Sequence, residues 1–71
     1  MTADEFSALL AQSKLSSEER EIAVQRVVWR MHYIDIGAAV NMDRRTVARK
    51  METIILPELE RILTRLKKAG A

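Results

Sequence analysis

Arg44, Arg45, Arg49 and Lys50 stand within one short stretch of a 71-residue chain, and they are the residues best suited to chemistry. The chemistry is recognition. A guanidinium donates in pairs to guanine O6 and N7, a contact worth roughly 1–3 kcal/mol of discrimination against the wrong base. Cations further round a helix neutralise phosphates, which positions a duplex without reading it. Catalysis finds less support. His32 is the single histidine, there is no cysteine, and no pair of carboxylates stands beside it, so a general acid–base or nucleophilic centre lacks its second member. No glycine-rich loop is present to cradle a phosphate. The expectation is a non-enzyme with no cofactor and no metal.

Those cations need a helix to aim them. Asp43 is placed to cap one, its carboxylate accepting from N–H groups near Arg45 and Thr46. The spacing predicts a helix from Asp43 to about Thr53, with Val47, Met51 and Ile54 inward and Arg45, Arg49 and Glu52 on the opposite side. Arg45 and Arg49 are then the candidates for base edges. Thr46 and Ala48 fall near a thymine methyl or a phosphate, and Ala48 is small enough to let the backbone come close. Arg44 and Lys50 lie further round and suit phosphates, as do Arg30 and His32 at the border of the preceding helix. A blander reading has the arginines only solubilising the surface, with Glu52 pairing to Arg45 or Arg49.

The preceding helix is predicted over Tyr33–Val40, burying Ile34 or Tyr33, Ile36 and Val40. Gly37 inside it costs ~1 kcal/mol relative to alanine, a cost explained by close approach of another backbone. Asn41 tolerates the left-handed conformation that ends many helices. Two short helices joined by a tight turn, with a basic outer face, have the form of a helix-turn-helix over about residues 33–53.

The remaining elements supply a body. Thr2-Ala3-Asp4-Glu5 has the form of a capping box, and a first helix runs to about Gln12, burying Phe6, Leu9 and Leu10. Ser16-Ser17-Glu18-Glu19 is a second capping box opening a helix that reaches Trp29 or Arg30. Val24, Val27, Val28 and Met31 form one apolar stripe there, and Ile22 and Trp29 another, as in the central helix of a bundle. Trp29 reads as core, its alternative being a dimer surface. Pro57 either kinks a continuing helix or starts a new one, and residues 57–68 are helical by pattern. Ile55, Leu59, Ile62 and Leu66 are spaced as on a coiled-coil seam and are the expected dimerisation residues.

The chain thus reads as one all-α domain over residues 1–71, four to five helices in all, marginal in core size and helped by a homodimeric partner. Its net charge of +2 is unevenly spread: residues 1–21 carry −3, residues 22–56 carry +3 and residues 57–71 carry +2. A basic second half presents a one-sided field to an anionic partner. No apolar run reaches membrane-spanning length and no signal-peptide pattern opens the chain. With no cysteine, the expectation is a cytoplasmic protein without disulfides. A membrane-surface role for Arg61, Arg65, Lys67 and Lys68 is weakened by Glu58 and Glu60 on the same helix.

Leu15-Ser16-Ser17-Glu18-Glu19-Arg20, Tyr33-Ile34-Asp35-Ile36-Gly37 and Thr46-Val47-Ala48-Arg49-Lys50-Met51 together resemble the region 4 helix-turn-helix of sigma-70-type factors. They are also similar to the small sigma-like regulators of phages and prophages. The resemblance covers about residues 15–54. Asn41 stands where the family usually has glycine, and the other regions of a full sigma factor find no counterpart here. The resemblance implies that helix 43–53 enters the major groove of double-stranded DNA in a transcriptional regulator. The second reading is a protein-interaction module, a phage-type inhibitor or an RNA-polymerase-binding adaptor, that uses the same scaffold and the apolar C-terminal helix.

Overall fold

A computed structural model describes residues 2–70. Met1 and Ala71, the ends of the expected 1–71 domain, lie outside the described residues. Every regular element among those described is helical.

Helix α1 (Ala3–Leu10) starts where the Thr2 hydroxyl accepts from the Glu5 N–H at 3.2 Å. It buries Phe6, Leu9 and Leu10, as the periodicity predicts. It stops short of Gln12 because Ser13 turns back, its hydroxyl donating to the Leu10 carbonyl at 2.6 Å. Helix α2 (Ser17–Val27) has the full capping box: Glu19 N–H donates to Ser16 Oγ at 3.2 Å and Ser16 N–H to Glu19 Oε1 at 3.0 Å. Two early backbone donors are thereby satisfied reciprocally.

At the other end of α2 the sequence expectation fails. The helix closes at Val27, before Trp29. Arg30 takes a left-handed φ of 55°, and the Met31 N–H closes back onto the Gln25 carbonyl at 3.0 Å, the pattern that terminates a helix. Trp29 therefore falls on the turn and is 64% exposed, and Val27 also faces out. The buried side of α2 is Ile22 and Ala23, with Val24 and Val28 half-buried beside them. Trp29 is not a core residue.

Helix α3 (Tyr33–Val40) has the predicted bounds, and its buried pair is Ile36 and Gly37. Of the two alternatives for its first inward residue, Tyr33 packs on the core whereas Ile34 is exposed. After the Asn41–Asp43 turn, α4 (Arg44–Lys50) runs through a π-helical segment, Met51–Ile55, into α5 (Leu56–Ala69) without a break in helical backbone. Counted this way the described residues form four helical rods. At 1.5 Å per residue the last is roughly 39 Å long, in keeping with the 40 × 23 × 17 Å extents of the molecule.

The π segment explains Pro57, which sits in the first turn of α5. Proline has no N–H to give, and its ring crowds the carbonyl four residues back. One widened turn just before it, in which the Leu56 N–H reaches the Met51 carbonyl, relieves that crowding. The same widening changes which residues face in. Val47, Met51, Ile55, Leu59 and Ile62 are all buried, at offsets of four, four, four and three. Ile54, expected inward, is 40% exposed, and Ile55 takes its place. The core is these five residues together with Phe6, Leu9, Leu10, Leu15, Ile22, Ala23 and Ile36. Among the described residues no helix is long and apolar enough to cross a membrane.

Candidate nucleic-acid interface

The basic face begins with the backbone beneath it. Asn41 ends α3 in the left-handed region, at φ 59° and ψ 49°, and the Met42 N–H returns to the Gly37 carbonyl at 2.8 Å. Two residues on, Asp43 Oδ1 accepts from the Arg45 N–H at 2.8 Å, while the Thr46 N–H goes to the Asp43 carbonyl at 3.0 Å. Gly37 is required where it stands. A Cβ there would collide with the Met42 carbonyl oxygen and touch the Arg44 backbone nitrogen. The close approach expected of this glycine is thus made by the turn itself.

With the turn fixed, Val47 sets the phase of α4. It is fully buried. Arg45 and Arg49 each lie about 200° of helical rotation from it and both are exposed. Thr46 and Ala48 fall about 100° to either side and are half-buried. Arg44, first residue of the helix, is exposed too. Among the described residues the ion pairs are Lys50–Glu19 and Glu58–Arg61. None involves Arg44, Arg45 or Arg49, and Glu52 pairs with neither of its expected arginines. Arg45 and Arg49 are four residues and so ~6 Å apart along the axis, close to two base-pair steps of a duplex at ~3.4 Å per step.

Lys50 is placed differently from the other cations. Its Nζ lies 3.6 Å from Glu19 Oε2, and the side chain is half-buried. The carboxyl of Glu19 is held below its ordinary range by the Ser16 N–H first and by Lys50 as well. Lys50 therefore ties α4 to the start of α2 instead of standing free for a phosphate. Its three-residue offset from Val47 was the available signal, since that spacing places it on the edge of the buried side. Arg30 and His32, the remaining phosphate candidates, are exposed and flank the turn that leads into α3. His32 stands at the N-cap of α3 without a side-chain capping bond.

Arg26 has a part that the sequence pattern did not suggest. Its Nη1 donates to the Met31 carbonyl at 2.8 Å, and its guanidinium lies over the Tyr33 ring, 4.3 Å from the centroid. It braces the α2–α3 junction, and with it the angle at which α3 carries α4. Glu58 does the same for α5. It accepts from the Lys14 N–H at 2.6 Å and pairs with Arg61. The Arg61 donors and then that backbone N–H hold its carboxyl down to about 2.

The expected self-association residues are not all available. Ile55, Leu59 and Ile62 are buried in the protomer's own core, and of the four only Leu66 is exposed. The widened turn before Pro57 brings Ile55 inward, and α5 follows in that phase. The large apolar residues left on the surface of α5 are Leu56, Leu63 and Leu66.

No known protein family, curated protein or solved structure matches this chain.

Proposed function

We propose that α3, the Asn41–Asp43 turn and α4 form a helix-turn-helix, and that the protein is a sequence-specific, double-stranded DNA-binding transcriptional regulator. In this reading residues 43–53 enter the major groove, as the likeness to sigma-70 region 4 and to small phage regulators implies. Arg45 and Arg49 read base edges, with Thr46 and Ala48 beside them. Arg44 contacts phosphates, with Arg30 and His32 as flanking contacts. The protein acts without catalysis, in the cytoplasm, as a homodimer on a two-fold site.

One observation carries the reading: Arg44, Arg45 and Arg49 are exposed and, among the described residues, without carboxylate partners, on a helix whose other side is anchored by Val47 and Met51. The blander reading expects Glu52 to pair with Arg45 or Arg49, and among the described residues it pairs with neither. Its failure to pair leaves the donors ready for another acceptor.

The test is fluorescence anisotropy on a duplex selected from a random pool. The double substitution Arg45→Ala, Arg49→Ala is expected to remove preference for the selected sequence, each arginine contributing roughly 1–3 kcal/mol of discrimination. Arg44→Ala is expected to weaken all duplexes alike and to lower the salt slope by about one. Preference retained in the double variant overturns the reading.

A second reading has an observation of its own. Trp29 and Ile34 are 64% and 65% exposed, and large exposed apolar side chains of this kind favour a protein contact. A phage-type inhibitor or RNA-polymerase-binding adaptor would use them, with the apolar side of α5, on a protein partner. A folded monomer with no affinity for any duplex would select it.

A further inference from the structure

Helix α5 carries more apolar surface than its own protomer covers. Leu59 and Ile62 are its last buried residues; beyond them every described position is exposed. The pattern nevertheless continues. Leu56, Leu63 and Leu66 are 47%, 49% and 42% exposed. Leu56 and Leu63, seven residues apart, share one side of the helix, and Leu66 follows three residues on. Leu56 and Leu63 flank a shallow groove whose other edge bears Glu60 and Lys67, also seven apart. Among the described residues neither of these charges has an ion-pair partner.

We propose that this face of α5 binds the same face of a second copy, with the two helices antiparallel and the two-fold axis beside Thr64. The charges select the occupant and its direction. About an axis between Leu63 and Thr64, Leu63 of each copy meets Leu63 of the other, and Glu60 of each stands opposite Lys67 of the other. An isologous contact must be self-complementary in this way. In a parallel pair the copies are level, so Glu60 remains roughly 10 Å along the axis from Lys67 of the other chain and the complementarity is lost. The contact uses residues that the protomer leaves free, in place of the buried Ile55, Leu59 and Ile62. It deepens the two-fold arrangement proposed above and rests on that reading only for its purpose, since the seam forms without DNA.

Sedimentation equilibrium of the full chain, without DNA, tests it. The wild-type chain is expected to be a dimer. Leu63→Lys, at a position already half-exposed, is expected to keep its helical circular dichroism and to weaken the dimer by about tenfold or more. Glu60→Lys alone and Lys67→Glu alone are each expected to weaken it several-fold, and the two together to restore it. A wild-type monomer, or a Leu63→Lys dimer of unchanged strength, overturns the seam. Failure of the double charge exchange to restore association overturns the antiparallel direction. The proposed function fails separately, through DNA discrimination that survives loss of Arg45 and Arg49.

Discussion

The two ends of the last rod present opposite chemistry from the same backbone. At the α4 end the inner side is fully committed, with Val47 and Met51 buried, and the outer side is arginine without ion-pair partners among the described residues. At the α5 end the inner residues run out at Ile62, and leucines continue past the point where the body can cover them. The first end offers donors to a polyanion, and the second offers apolar surface to something equally apolar. The contrast teaches that exposure must be judged together with what lies behind it. Arg45 is exposed because Val47 is anchored, whereas Leu63 is exposed because nothing is there to meet it.

The largest expected effect probes that difference with one type of truncation at two sites. Ile55→Ala, in the buried side of the π segment, should cost about 2–5 kcal/mol of stability. Leu63→Ala should change the stability of the isolated protomer by less than about 1 kcal/mol. Urea unfolding at low concentration measures both, and equal losses would erase the distinction between the two ends.

Next in size is Gly37→Ala. Alanine is the better helix former by ~1 kcal/mol, yet the added Cβ meets the Met42 carbonyl oxygen, a backbone atom. The clash should win, for a net loss of about 1–3 kcal/mol. A raised melting temperature would show that the turn yields easily, and that the basic end is less rigidly held than its contacts suggest.

Lys50→Ala is expected to be smaller. Breaking the partly exposed pair with Glu19 should cost less than about 1 kcal/mol. The salt slope of DNA binding should not change. A slope reduced by about one would return Lys50 to the phosphate contacts and extend the free cationic face toward the body.

The last effect concerns the anchor of α5 and appears in the pH profile. Glu58 is held to about 2 in the folded protein, against an ordinary 4.5. A carboxyl lowered by folding stabilises above its ordinary value, and that stabilisation fades as pH falls from there toward 2. Wild-type and Glu58→Gln chains should therefore differ near neutrality and converge in acid. Parallel curves down to pH 2 would remove Glu58 as a clamp between α5 and the α1–α2 loop.

Much of the α3–α4 region was legible because its determinants are local. Asn41 in the left-handed region, Asp43 capping, Val47 inward and the bounds of α3 all follow from residues within a few positions of one another. The α2 capping box was legible for the same reason. The misplacements have a different origin. Ile54 and the expected seam of Ile55, Leu59 and Ile62 were placed by counting at constant helical pitch. Pro57 is accommodated by one wider turn, so the phase shifts before α5 begins. Trp29 was placed by extending α2 past Val27, and nothing in the residue type of Arg30 announces a left-handed turn. Arg26 and Glu19 act across elements, through a carbonyl, a ring and an ammonium group that only the tertiary arrangement brings near. The exposure of Arg44, Arg45 and Arg49 was therefore readable, and the burial of Ile55, Leu59 and Ile62 in the protomer's own core was not.

An unbroken helix from Arg44 to Ala69 also acts as a ruler. From Val47 to Thr64 it measures roughly 26 Å. A pair joined tail to tail beside Thr64 could hold its two α4 helices no more than about 50 Å apart. For the proposed DNA reading, that span lies between one duplex turn, about 34–36 Å, and two.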